Sequence, residues 1–279
     1  MRWIFDQLFE SHGTQLKDHV KVEQLDVIAR HTWPDGSNLD LFADIETSAQ
    51  AISTFAGAKE ADGFRHFTQR AGEIFSTLDE SFMRHHSPSL LGLTTHVGFR
   101  NPRQLWNIRP FANLYGELGR FFRDTRLRQL FARYATYSGS SPYLCPATLM
   151  LIAHAEQRGV WQISGGMQAL ASTIASLAER AGAKFHFGTC VKNITVRHGR
   201  ATGVITSDGT KHEADSVIFC GDAAALQNGS LGQDCVGAIP GRAKARSLSA
   251  LTVAMVAQAD GFKLHHHNVF FGESRLVCA

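Results

Sequence analysis

Apolar positions along the chain repeat with a helical period in some stretches and a strand period in others, and turn residues separate the two. Trp3 to Glu10 reads as a short helix with a stop at Gly13. In VIARHTWPDGSNLDLF the turn signal Pro34-Asp35-Gly36 divides two runs of mixed apolar residues, a spacing that predicts a hairpin. From about Ile45 to Arg84 the pattern is mostly helical. Its best part is DGFRHFTQRAGEIFSTLDESF, which puts Phe64, Phe67, Ala71, Ile74 and Leu78 on one face. Ser87 to Pro110 reads as loop-rich. Asp124 is a good N-cap, and Leu127, Leu130, Phe131 and Tyr134 follow it at helical spacing. YSGSSPY is turn-like, and a further helix is expected from near Pro146 to Gly159.

The segment from Gly159 to Asp222 carries the most architectural information. Gly165-Gly166 leads straight into a helix whose expected buried stripe is Met167, Leu170, Ile174, Leu177, Ala178 and Ala181, with Gly182 as C-cap. KFHF reads as a strand with Phe185 and Phe187 on one face. His198-Gly199 separates NITVR from RATGVIT, and Asp208-Gly209 separates that strand from TKHEA, which makes a small antiparallel meander. Val217-Ile218-Phe219 is an unbroken apolar run of the kind buried in a parallel sheet. The order is glycine pair, helix, strand, meander, buried strand. It fits the second half of a two-dinucleotide-type FAD domain better than a plain Rossmann unit, and so an α/β (α+β) class. Beyond Ala223, LSALTVAMVAQA and HHHNVFFGE read as strands or core.

Composition narrows the setting. The chain has 279 residues, enough for one large domain or two modest ones, and 44% are hydrophobic, which excludes global disorder. Net charge is only +3. Basic residues gather at Arg120, Arg123, Arg126, Arg128 and Arg133. Such a run suits an anionic lipid surface or a phosphate and, more simply, a solvated helix face. Five scattered cysteines, Cys145, Cys190, Cys220, Cys235 and Cys278, show no zinc-ligand spacing and suit reduced thiols in a cytoplasmic protein. Asp6 and Glu10 interrupt the N-terminal apolar stretch, so it is no secretory signal. Tyr134 to Ala155 lacks formal charge but is broken by Pro142 and Pro146, which makes it a poor membrane span.

The first chemical suspect is Gly165-Gly166. A helix N-terminus presents free N–H groups and a partial positive charge, and glycines let a phosphate or flavin edge approach the backbone. No G-x-G-x-x-G occurs, and GAIPGRAKA at Gly237 lacks its spacing. On a strand only His265 and His267 of the run His265-His266-His267 share a face, and no third metal ligand is evident, so no metal is expected there or at His85-His86. Phe121, Phe122, Phe270 and Phe271 either line a pocket for a long apolar ligand or pack as ordinary core. Neither a G-x-S-x-G elbow nor a carboxylate pair for acid–base work stands out.

The stretch RYATYSGSSPYLCPATLMLIAHAEQRGVWQISGGMQALASTIASLAERAGA, Arg133 to Ala183, resembles the bacterial carotenoid desaturase family. Its wording is nearest to that of the hydroxyneurosporene (methoxyneurosporene) desaturases, the 1-hydroxycarotenoid 3,4-desaturases. The resemblance continues through ATGVITSDGT, ADSVIFCGD and HHHNVFFGE. It also covers MRWIFDQLFESHG, WPDGSNLDLFAD and FAGAKEADGFRHF, and is weaker from Asn228 to Ala245.

The resemblance implies an FAD domain of glutathione-reductase or amine-oxidase type beside a mixed-sheet and helical substrate domain. Residues 1–158 would be the substrate-binding, helical region, and 159–225 the second half of the FAD domain. Residues 226–279 would return into a truncated substrate domain. It implies flavin-dependent insertion of a carbon–carbon double bond into an acyclic carotenoid. Because that substrate sits in lipid, it also implies a cytoplasmic protein in peripheral contact with the bacterial inner membrane, with neither nucleic acid nor metal as partner. By the same resemblance Gly165, Gly166 and Met167 lie against the cofactor. Val191 matches a position that meets the adenine through its backbone, and Gly221-Asp222 lies where the chain leaves the FAD domain. No catalytic residue is carried over.

Relatives begin with a strand, a G-x-G-x-x-G loop and a helix, and they continue past HHHNVFF. The expectation is therefore a fragment lacking both ends, with apolar edges such as Val217 to Phe219 partly unpaired. The alternatives are a carotenoid isomerase, an amine-oxidase-like flavoenzyme, and a remnant that binds an apolar ligand or partner without catalysis.

Overall fold

The computed structural model describes residues 2–79, 83–84, 112–239 and 247–272. It divides into two compact units, Met1–Thr173 with Ser247–Ala279, and Ile174–Arg246.

The first unit begins with α1 (Trp3–Glu10). A hairpin follows, β2 (Val27–Thr32) and β3 (Asn38–Phe42), antiparallel with Arg30 opposite Asp40. The turn at Pro34-Asp35-Gly36 closes through the Gly36 N–H, which donates to the Trp33 carbonyl. β8 (Asn268–Phe270), from the HHHNVFFGE stretch, joins parallel to β2, so the sheet order is β3-β2-β8. Arg30 donates two 2.7 Å hydrogen bonds to the Asp40 carboxylate across the pair. A second sheet pairs β1 (Val22–Gln24) with β4 (Trp161–Ile163).

The long helical stretch is two helices, α2 (Ile45–Ala56) and α3 (Ala58–Leu78), broken at Gly57 with φ +100°. Asp44 caps α2 by accepting from the Thr47 N–H. Phe64, Phe67, Ala71, Ile74 and Leu78 are all buried on one face of α3, as their spacing predicts. They meet α4 (Leu114–Leu118) and α5 (Thr125–Ala132), which contribute Leu114, Leu118, Leu127, Leu130 and Phe131 to one core. Asp124 accepts from the Arg126 N–H and so starts α5. Phe67 lies 4.6 Å from Phe131 and 5.5 Å from Phe122, ring centre to ring centre. Each such buried ring contributes roughly 1.5–3 kcal/mol from area alone. A 3₁₀ turn, Arg133–Ser138, then leads through YSGSSPY to α6 (Leu151–Gln157).

α7 (Gly166–Arg180) begins at the glycine pair. The second unit centres on the meander β5 (Val191–Arg197), β6 (Arg200–Thr206) and β7 (Lys211–Glu213), with both turns where the sequence places them. His198 and Gly199 have φ of +52° and +75°, the pair of left-handed residues that a tight hairpin turn demands. α8 (Ala223–Gln227) follows.

Several expectations are overturned. The stripe on α7 is only half-covered: Leu170 is buried, Ile174, Leu177 and Ala178 are partly covered, and Met167 and Ala181 are exposed. KFHF is not a strand. Phe185 and Phe187 stack on each other at 5.4 Å in an open segment. Val217-Ile218-Phe219 also forms no ladder, and Ile218 is 88% exposed. LSALTVAMVAQA is likewise neither strand nor core, since Leu251, Met255 and Val256 stand in solvent. The common reason is physical: an extended run becomes a strand only when a neighbour accepts its backbone hydrogen bonds, and among the described residues no strand does so for these three.

The arginine run is a solvated face only in part: Arg120 and Arg123 are exposed, and the other three are engaged. Arg126 pairs with Asp124 at 2.8 Å and lies 4.1 Å over the Phe55 ring. Arg128 donates to the Phe122 carbonyl at 2.7 Å, and Arg133 is buried with Glu156. The four phenylalanines do not share a lining: Phe122 lies in the core, Phe271 packs on Trp33, and Phe270 faces solvent. The loop-rich expectation for Ser87 to Pro110 and the pair His85-His86 fall outside the described residues.

Candidate functional site

The β1–β4 ladder fixes how the chain enters the glycine pair. Val22 is in register with Ile163, Gln24 with Trp161, and the Ser164 N–H donates to the Lys21 carbonyl at 3.0 Å. Gly165 and Gly166 then take φ of +84° and +74°, a left-handed region that residues with a Cβ rarely enter. A Cβ placed on Gly166 would meet nothing within 4 Å, so the ground in front of the backbone is open. α7 has no acidic residue in its first turn, so no carboxylate of its own offsets the positive end there. Met167 is 66% exposed beside it. An open, glycine-lined, uncompensated helix start fits the approach of an anionic oxygen or the edge of a flat ring. The residues present therefore fit one wall of a nucleotide cofactor site.

Val191 and Asp222 lie in the second unit. Val191 opens β5 opposite Thr206. The Asp222 carboxylate caps α8, accepting from the Ala224 N–H at 2.9 Å. That role is structural and is visible without any ligand.

Sequence reasoning missed a second polar centre, in the first unit. Glu156 on α6 accepts from the Tyr134 hydroxyl at 2.8 Å and from the Tyr137 hydroxyl at 2.9 Å. Arg133 faces the same carboxylate at 3.4 Å, and both charged side chains are only 13% exposed. Burial, reinforced by the Glu156 charge, pushes the Tyr134 and Tyr137 hydroxyls above the usual tyrosine range, so both stay protonated as donors. His31 on β2 is fully buried and places Nδ1 3.3 Å from the Leu39 carbonyl. Burial, and then the Arg133 charge, push its pKa down to about 3, so it is neutral at physiological pH. With the other ring nitrogen open to accept, the Nδ1–H is the donor to Leu39. His267 is lowered in the same direction by burial and by Arg133. The only sequence trace of this centre was a charge on each side of the uncharged stretch between Tyr134 and Ala155.

Among the described residues no group of three His, Cys, Asp or Glu side chains is arranged to hold a metal. None of their helices is long and apolar enough to cross a membrane. Cys145 and Cys235 are buried free thiols, and Cys190 and Cys220 are exposed ones.

Against known proteins, the family described as flavin containing amine oxidoreductase matches residues 103–259, more than half of the chain. The chain belongs to that family. The match takes in α4 through the glycine pair, the meander and the exposed apolar run after it, so the mixed helix-and-sheet architecture is part of a flavin-type oxidoreductase fold. Hydroxyneurosporene desaturase from Rubrivivax gelatinosus is 46% identical over 98% of this chain and 52% of its own length. Hydroxyneurosporene desaturase from Cereibacter sphaeroides is 43% identical over 98% of this chain and 55% of its own. A 4,4'-diaponeurosporene oxygenase from Staphylococcus aureus is 29% identical over 78% of this chain and 44% of its own. The chain spans about half the length of these relatives.

Proposed function

We propose that this chain is part of an FAD-dependent oxidoreductase that introduces a carbon–carbon double bond into an acyclic 1-hydroxy- or 1-methoxycarotenoid. The observation that carries the reading is the 46% and 43% identity to two hydroxyneurosporene desaturases, each over 98% of the chain, joined to membership of a flavin-containing family. The 29% match to a 4,4'-diaponeurosporene oxygenase supports a carotenoid substrate more broadly.

Bound FAD would supply the two-electron acceptor for desaturation. Toward it, Gly165 and Gly166 offer backbone N–H groups, Gly166 with an approach free of side chains, and Met167 lies beside them. Val191 and Asp222 are proposed to lie near the adenine and at the exit from the cofactor domain. The work left to the protein is to place the apolar chain and exclude water. The aromatic core around Phe64, Phe67, Phe122 and Phe131 packs the proposed substrate-side framework. A polyene dissolved in lipid requires the enzyme to meet the bilayer from one face, and we assign it a peripheral place on the cytoplasmic side of the inner membrane.

The test expresses the reading frame together with the DNA on both sides of it. Stoichiometric bound flavin and a product with one added double bond from a 1-hydroxylated acyclic carotenoid are expected, read by absorbance and mass. A complete frame that yields neither overturns the assignment. The 279-residue chain alone, which has no G-x-G-x-x-G, is expected to bind FAD weakly or not at all.

A further inference from the structure

A cleft in the first unit shares no lining residue with the glycine pair or with the Glu156 centre. It has a volume of about 300 Å³ and is walled by Trp3, Phe75 and Trp161, with Arg2, Asp6 and Arg158 at its polar side. Four elements build it: α1, α3, β4 and the end of α6. That volume is at the lower limit of ligand pockets, enough for the end of a long molecule and too little for the whole of one.

Its charges are unequal in an informative way. Arg2 and Asp6 neutralise each other at 3.3 Å. Arg84, 4.4 Å over the Trp3 ring, is paired with Asp79 at 3.1 Å. Arg158 lies 5.4 Å over the Phe75 ring; the adjacent Glu156 carboxylate is taken by Arg133, and no ion pair of Arg158 occurs among the described residues. Neighbouring His154 is held toward its neutral form by burial and by Arg158. The cleft thus presents three aromatic walls and one guanidinium whose donors are not committed to an acid among the described residues. An apolar chain end gains from the walls, and a single acceptor oxygen on that end gains a charge-assisted hydrogen bond. A carboxylate or phosphate ligand is less well served, because Asp6 sits in the same cleft.

We infer that this cleft seats the oxygen-bearing end of the acyclic substrate, with Arg158 donating to the terminal hydroxyl or ether oxygen. The inference deepens the desaturase reading and rests on it for the identity of the long chain. It assigns Arg158 to end-group specificity, while Trp3, Phe75 and Trp161 supply affinity without regard to the oxygen.

The experiment uses the intact 279-residue chain and two small probes, the tertiary alcohol 2,6-dimethyloctan-2-ol and its parent hydrocarbon. Binding is read by quenching of tryptophan fluorescence. Arg158→Met keeps the side-chain stem and removes the donors. It is expected to weaken the alcohol on the order of five- to tenfold, the net worth of one ordinary hydrogen bond, because the exposed guanidinium trades it against water, and to leave the hydrocarbon within about twofold. Arg158→Lys is expected to recover part of the alcohol binding, and Trp161→Leu to weaken both probes alike. Three results overturn the inference: no binding of either probe, equal loss of both in Arg158→Met, or no loss of either. Because Arg158 is exposed, the substitution does not threaten the fold. The readout needs no flavin, so failure here leaves the desaturase reading standing. Failure of the flavin and product test leaves a cleft whose alcohol preference is measured on its own.

Discussion

His31 makes acid sensitivity a quantitative prediction. Its ring is fully buried in β2, Nδ1 donates to Leu39, and Nε2 has no partner among the described residues. The ring lies 6.1 Å from that of Phe271. A proton added in the folded state would create a buried cation near Arg133, and this is why the pKa falls from 6.5 to about 3. The unfolded chain takes up that proton near pH 6.5, and the folded chain does not until about pH 3. The stability due to neutral His31 is therefore complete above pH 6.5 and is lost as pH falls from there toward 3. The slope is about 1.4 kcal/mol per pH unit, or about 2 kcal/mol by pH 5. His154 and His267 are lowered too and act in the same direction, so the test must isolate His31. Urea unfolding of the native chain and of His31→Phe, followed between about pH 7.5 and pH 5, does so. The absolute stability of the variant is immaterial. The gap between the two is expected to move by about 2 kcal/mol in the variant's favour across that window. Parallel pH profiles would refute the account of a neutral, buried, partnerless nitrogen.

Two further substitutions test the other structural claims. Glu156→Gln leaves Arg133 buried without its carboxylate and is expected to cost about 3–5 kcal/mol in urea unfolding; adding Arg133→Met in the same chain should recover part of that loss, and a cost below about 1 kcal/mol would show the pair to be effectively solvated. Asp124→Ala removes the acceptor for the Arg126 N–H and is expected to cost about 1 kcal/mol, with faster amide hydrogen exchange confined to the first turn of α5.

Features set by near neighbours in the chain were legible from sequence. Asp124 caps α5, His198-Gly199 turns the first meander hairpin, and the phenylalanine spacing of α3 places its buried face, because each depends on residues a few positions away. Features that depend on remote partners were not. The β1–β4 ladder joins Val22 to Ile163, and neither three-residue strand carries a period of its own. Arg133 meets Glu156 across 23 positions, so a run of arginines that looked like a polar face contains one of the most enclosed charges described. The apolar runs at Phe185, Val217 and Leu251 have strand composition but no ladder, since composition sets a strand's preference and only a neighbour satisfies its backbone. At the candidate site, the left-handed turn at the glycine pair was legible because two adjacent glycines before a helical period favour positive φ there. The neutral histidine was not, because burial of a histidine leaves no mark in local sequence.

The open ribbon around Leu251 to Val256 has a practical corollary at the bench. Proteases grip their substrates as extended strands and prefer apolar side chains beside the scissile bond, so this stretch presents itself as bait. Chymotrypsin or elastase at low dose should nick it while the helices around Phe67 stay whole, and preparations will keep best with inhibitors added at lysis.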